Sequence, residues 1–310
     1  MRWKGENRLK LVSEAEAPPA TRQIFDEVRH ALGAPVVPKL YQAYAAFPEF
    51  LALHWEAFRP VLRSRQFFLL GARLAAESYT RAHNYFAVRA TATADAPAEP
   101  AGALPMAQVL DYYQYLDPLL LLIATAQLCA LEGPIGQEQA APDAGQHPSF
   151  PIAPRLLSDT ETPADVRRIW EERCRILSLA FVSDEHRALA YWPGFYQEYW
   201  SQLKDLLQSP LYADCQSRIV ESAWGLAREL PLKVEMDISS LLEAGLDDDV
   251  LSDLAQTNEA LVEALSGLVL DVSFARIASE GGTRSEARPS SKTPAAEGKR
   301  KKATSPTRAA

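Results

Sequence analysis

The residues best suited to chemistry stand together at Ser183-Asp184-Glu185-His186. Asp184 follows a hydroxyl residue, opens a short helical run and lies at the edge of an aromatic stretch that ends in Tyr191-Trp192-Pro193. A carboxylate so placed can take a proton from a water molecule. The same residues have a plainer reading, with Ser183 as an N-cap and Asp184 and Glu185 complementing a helix dipole. By composition alone that reading is the simpler one. Elsewhere the candidates are thin. His83 sits in the polar cluster Arg81-Ala82-His83-Asn84-Tyr85, which equally suits an ordinary hydrogen-bonded helix end. There is no phosphate-binding glycine loop, GxGxxG, HExxH, GxSxG or paired metal-ligand cluster. Cys129, Cys174 and Cys215 lie in apolar patterns without CxxC spacing, which predicts small core residues and no disulfide framework.

What positions Asp184 is a repeat. Thr21–Tyr79 aligns without a gap on Val166–Trp224, 145 positions on. Identical pairs include Arg22/Arg167, Glu27/Glu172, Pro48/Pro193, Trp55/Trp200, Ser64/Ser209 and Arg73/Arg218. Two copies with so long a period predict an internal pseudo-dimer rather than a solenoid. Between two similar halves there is a cleft, in which one copy keeps a structural residue while its twin becomes chemical. The repeat partner of Asp184 is Lys39.

The elements read as helix and turn. Thr21 is a plausible N-cap for a helix that ends at Gly33, Pro48 opens a second helix that Pro60 bends or frays, and a third runs from about Phe67 to Tyr85. The order recurs through Ile169, Pro193 and Tyr212. Asp117-Pro118 reads as an N-cap and first helical proline launching a Leu-rich helix that closes at Gly133, with a counterpart from Glu259 to Ile277. The Leu-rich run is too short for a membrane span and predicts burial in protein. Gly245 to Asp249 stops one helix and caps another. No stretch alternates with period two, so the fold class expected is all-α. The expected organisation is repeat 1 over 1–133, a linker over 134–160, repeat 2 over 161–278 and a basic disordered tail over 279–310. Residues 91–102 also read as irregular.

Net charge is -8, but the tail carries eight Lys/Arg against three Asp/Glu, which leaves the body acidic and argues against nucleic-acid binding there. The N-terminus lacks the apolar core of a secretory signal, so the cytoplasm is the expected location, with a monomer or homodimer as the assembly.

A two-copy helical chain carrying Ser-Asp-x-x-x-Ala-Leu-Ala-x-Trp-Pro in its second half, Pro48 and the paired Ala43 and Ala45 in its first, and a buried Pro-Leu-Leu-Leu-Leu-Ile helix between them resembles the group I 2-haloacid dehalogenases over residues 15–277. The resemblance implies a helical pseudo-dimer with its site between the repeats. It also implies direct attack of an Asp-activated water on C2 of a D- or L-2-halocarboxylate, with no metal or organic cofactor and no covalent intermediate. Asp184 matches the catalytic position and Ser183 precedes it. The chain departs from the family where aromatic residues are replaced by Val36 and Lys39, and where an Asn is replaced by Gln114.

The resemblance thus implies Asp184 as base, with Gln114 and Ser183 orienting the water and Lys39 receiving the carboxylate of a small acid substrate. Val36, Tyr41, Tyr115 and His186 are expected at the pocket wall. Lys39 has a second possible role, a salt bridge to Asp184 that blunts it as a base. The rivals are a non-catalytic binding protein on the same scaffold, and a hydrolase or hydratase of another small carboxylic acid.

Overall fold

The computed structural model describes residues 9–86, 104–137, 148, 150, 152–177, 179 and 181–280. The irregular segment expected at 91–102, residues 138–147, 149 and 151 of the linker, and the tail beyond Glu280 lie outside those residues. Among the described residues eleven α-helices form, in the order α1 (Pro19–Leu32), α2 (Lys39–Tyr44), α3 (Pro48–Leu62), α4 (Arg65–Phe86), α5 (Met106–Glu132), α6 (Ala164–Leu177), α7 (Asp184–Leu189), α8 (Pro193–Leu207), α9 (Pro210–Ala227), α10 (Ile238–Glu243) and α11 (Asp248–Ser279). No strand occurs among the described residues, where Ile135 and Val234 make an isolated antiparallel bridge. The all-α class stands.

Local chemistry sets most of the ends. Gly33 closes α1 with φ 60°, a left-handed conformation in which its N–H bonds back into the last turn. Pro48 and Pro193 open α3 and α8, where a missing N–H costs nothing. Asp247 caps α11 by accepting from the Val250 N–H at 2.8 Å, and Gly245 turns the chain just before it with φ 98°. Pro60 falls in the last turn of α3, which runs on to Leu62.

Three expectations need correction. Thr21 is inside α1 and buried, since the helix starts two residues earlier behind Pro18. Asp117 is not an N-cap, because α5 continues from Met106 through Pro118 without a break. Packing on nearly every side of this helix outweighs the hydrogen bond that proline removes. The counterpart expected from Glu259 begins earlier, at Asp248.

The element bounds repeat with the sequence. Adding 145 to α1, α2 and α3 gives the bounds of α6, α7 and α8, and α4 starts 145 residues before α9. Inside the molecule α5 and α11 pack along each other, flanked by α4 and α9, while α1 packs on α3 and α6 on α8. Both halves contribute to one contiguous core. By length and hydropathy α5 would suit a membrane, yet 83% of its most apolar window is buried within the protein.

Candidate active site

The short helices α2 and α7 start with Lys39 and Asp184. Each follows an extended residue, Pro38 or Ser183, which aims the first helical side chain inward. The Lys39 ammonium donates a hydrogen bond to Asp184 Oδ1 and forms an ion pair with it. Both side chains are partly buried, at 24% and 18% exposure. Contact between repeat partners puts this pair where the two halves meet. Glu77 and Ser222, also 145 apart, meet in the same way, with Ser222 Oγ donating to Glu77 Oε1 at 2.7 Å.

The pair lies at the wall of a cavity of about 170 Å³. Repeat partners line it in twos: Val36 with Phe181, Pro38 with Ser183, Lys39 with Asp184, Leu40 with Glu185, Leu116 with Leu261, and Leu120 with Leu265. Lys39 Nζ also stands 5.6 Å from the centre of the Phe181 ring. The cavity therefore lies between matching segments of the two halves, and its polar groups fall where those segments differ.

Of the residues singled out from sequence, Val36, Lys39, Ser183 and Asp184 come together here. Ser183 Oγ is buried without a hydrogen-bond partner and does not cap α7. The other four do not line the cavity. Gln114 lies on the far side of α5 in a shallow groove against α4, with Tyr115 beside it. Tyr115 is anchored there by donating to the Leu32 carbonyl at 2.9 Å and by packing on Phe150. Tyr41 points into the core against Tyr44, His54 and Trp55. His186 is buried with Nδ1 2.9 Å from Tyr196 Oη, and its Nε2 is 3.6 Å from Asp271 Oδ2. Burial lowers its pKa to about 4, so the ring is neutral at ordinary pH.

In place of those four the cavity has polar groups that sequence reasoning did not assign to it. The face that α5 turns inward carries Tyr112, Tyr113, Leu116, Asp117 and Leu120, a helical stripe. Tyr112 Oη and Asp117 Oδ2 are buried and unpartnered. Burial, and then the neighbouring Glu185 carboxyl, push the Asp117 pKa well up. Burial raises Glu185 as well, against the pull of its own backbone N–H. Both acids are thus held toward the neutral form.

On the α6 side, Arg173 donates from Nη2 to Asp271 Oδ2 at 3.0 Å, and Tyr212 donates to Asp271 Oδ1 at 2.7 Å. Burial opposes charge on both partners, but the His186 contact and the arginine hold Asp271 below its ordinary pKa, and Asp271 raises Arg173. The signal that could have found this network is the repeat itself. The residues 145 positions before Arg173, Asp271 and Tyr212 are Val28, Ala126 and Phe67, all apolar.

Residues 35–186 match the family model described as halocarboxylic acid dehydrogenase DehI. Over 85% of this chain and 90% of its own length, an (R)-2-haloacid dehalogenase of Pseudomonas putida is 25% identical. An (R)-2-haloacid dehalogenase of Rhizobium sp. (strain NHG3) is 23% identical over 72% of this chain and 88% of its own length. Among solved structures, a complex of a D-2-haloacid dehalogenase with L-LA superposes with TM-score 0.77 at 24% identity, covering 90% of this chain and 99% of the other. A D-2-haloacid dehalogenase mutant superposes with TM-score 0.76 at 24% identity, covering 88% and 97%. The structural likeness establishes the all-helical fold. The family model and the two relatives show that this chain is similar to 2-haloacid dehalogenases along most of its length. The relatives are named for the (R) acid, so acceptance of both enantiomers does not follow from them.

Proposed function

We propose that this protein is a dehalogenating hydrolase that converts small 2-halocarboxylic acids to 2-hydroxy acids, with Asp184 as general base and no covalent intermediate on the protein. The observation that carries the reading is Asp184 at the wall of the cavity formed by repeat partners, in a chain similar to 2-haloacid dehalogenases along most of its length. The matching element bounds of the two halves support the pseudo-dimer that such a cavity requires.

In this reading a water held beside Asp184 attacks C2 while the carbon–halogen bond breaks, inverting the centre. The water's proton passes to Asp184 and the bonding pair leaves with the halide. Water orientation falls to Ser183 Oγ, which is buried and free, and to the inward face of α5 at Tyr112 and Asp117. Gln114 has no part in it. The apolar wall of Leu116, Leu120, Leu261, Leu265 and Phe181 limits competing solvent around the departing halide.

Lys39 takes part through charge balance. The reaction moves one negative charge from Asp184 to the halide. Lys39 begins paired with Asp184 and loses that partner as the carboxylate accepts the proton, so its ammonium becomes available to an anion in the cavity. The resting ion pair also favours a second reading, in which a permanently engaged Asp184 leaves a small-acid binding protein on the same scaffold.

Halide release from D- and L-2-chloropropionate and 2-bromopropionate decides between them. Wild type is expected to release halide, with the D acids preferred, and Asp184→Asn to lose on the order of 100-fold or more. A single turnover in H2(18)O should place the label in the product rather than on Asp184. A folded wild type that binds these acids without releasing halide would establish the binding protein.

A further inference from the structure

We infer that Arg173 is the carboxylate anchor of the cavity: its buried guanidinium binds the carboxylate of a small monocarboxylic acid, a role that sequence reasoning gave to Lys39. The site stands on the burial and partners of Arg173, and only the identity of the acid as a 2-halo acid rests on the function proposed above.

Arg173 is 2% exposed and lines the cavity. One nitrogen, Nη2, is committed to Asp271. The other two, Nε and Nη1, are buried and have no hydrogen-bond partner. A buried guanidinium N–H without an acceptor is costly, and a carboxylate oxygen is the acceptor that suits it best. The other cation at the wall, Lys39, already has its partner in Asp184. The acids on the α5 and α7 sides, Asp117 and Glu185, are held toward the neutral form by burial and so compete weakly as anions for the guanidinium.

The surroundings narrow the ligand class. Leu177, Leu179, Leu261, Leu265 and Leu268 contribute to the apolar wall. With two nitrogens of one buried guanidinium unpartnered, the cavity suits a single carboxylate on a short apolar or halogenated chain rather than a dicarboxylate. The anchor belongs to one repeat only, since Val28 occupies the matching place in the first half.

The test is binding of propionate and D-2-hydroxypropionate, against the uncharged propionamide, followed by calorimetry with wild type, Arg173→Lys and Arg173→Met. Wild type should bind the two acids and not the amide. Arg173→Met should weaken the acids on the order of 10- to 100-fold, with Arg173→Lys partly restoring them. In turnover the loss should appear mainly in KM rather than kcat. Unchanged acid affinity in a folded Arg173→Met overturns the anchor. Because Arg173→Met leaves Asp271 buried without its countercharge, Arg173→Met/Asp271→Asn serves as a neutral companion variant. Should neither variant fold, a crystal structure of wild type with D-2-hydroxypropionate decides: a carboxylate on Arg173 supports the anchor, and one held by Lys39 instead refutes it. The two proposals fail separately. Arg173-dependent acid binding without halide release sinks the dehalogenase, whereas halide release with KM unchanged in Arg173→Met sinks the anchor.

Discussion

Acid weakens this fold through His54 by an amount that the structure allows to be worked out. His54 lies on α3, fully buried, stacked on Phe58 with ring centres 4.4 Å apart. Its Nδ1 is 2.7 Å from Gln127 Oε1 on α5, the helix that carries Tyr112, Tyr113 and Asp117 into the cavity. Burial lowers its pKa from 6.5 to about 4, against the smaller opposing effect of Gln127. In the unfolded chain the imidazole titrates near its ordinary value. Between those two values the unfolded state binds a proton that the native state refuses, so the contribution is complete above pH 6.5 and is lost as pH falls toward 4. The whole interval is worth about 3 kcal/mol, of which about 2 kcal/mol is gone by pH 5.

The wild-type pH curve alone would not isolate this effect. His186 titrates in the same direction, while Asp117 and Glu185 are pushed the opposite way. The difference between wild type and His54→Phe does isolate it. Phenylalanine keeps the stack on Phe58, and loss of the Gln127 contact adds an offset that does not vary with pH. Urea unfolding followed by tryptophan fluorescence at pH 7.5, 6 and 5 is the assay. The stability of wild type relative to His54→Phe should fall by about 2 kcal/mol between pH 7.5 and 5. A difference that stays constant within about 0.5 kcal/mol, below the resolution of such comparisons, would refute a neutral buried His54.

Three further substitutions test the placement of α5, α4 and α9. Gln114→Ala should leave kcat and KM for a 2-halo acid within about twofold of wild type, since a change on the surface away from the chemistry is close to neutral, and a loss of 100-fold would return Gln114 to the site. A Cβ added at Gly71 would come within 2.2 Å of Leu119 Cδ2, so Gly71→Ala should destabilise by about 1–3 kcal/mol in urea unfolding. At Gly225, in α9, a Cβ meets nothing within 4 Å, and Gly225→Ala should stabilise by up to about 1 kcal/mol, so the same substitution takes opposite signs on two helices.

The parts of the fold legible in the sequence were those fixed by local chemistry. Gly33, Pro48, Pro193 and the Asp247 cap each act on the backbone within a few residues, and the structure keeps them all. Asp117-Pro118 has the same local signature and misleads, because α5 is held by the helices around it. The site was half legible for a related reason. Repeat arithmetic brought Lys39 to Asp184 and left their relation open, and the structure shows the ion pair. Tyr41 and His186 were placed by nearness in sequence and Gln114 by the resemblance to a family that carries Asn there, but on a helix it is the face that decides. One residue beyond Tyr113 the side chain has turned by about 100°, which carries Gln114 out of the Tyr113, Leu116, Asp117, Leu120 stripe. Two residues beyond Lys39 and Asp184, Tyr41 and His186 have turned into the core.

What the two copies share and what they do not separates structure from chemistry in this molecule. Trp55 donates to Glu27 at 2.9 Å and Trp200 to Glu172 at 2.8 Å. Ser64 and Ser209 each accept from the N–H three residues on, at 3.2 Å. Ser13 and Ser158 each donate to a glutamate three residues on, at 2.7 Å. These duplicated devices hold the helices together in both halves, and identity at them reports only the fold. The cavity runs the other way, with Leu40 against Glu185, Pro38 against Ser183 and Val28 against Arg173. An apolar twin shows that the fold accepts a hydrocarbon at that position, so a buried polar group there is not required by packing. Such a group costs stability unless it is paired, and Arg173, Ser183 and Asp117, all residues of the cavity lining, each keep at least one buried atom unpaired. Polar substitutions that are costly to the fold, absent from its twin and gathered round one void are those that a ligand must complete.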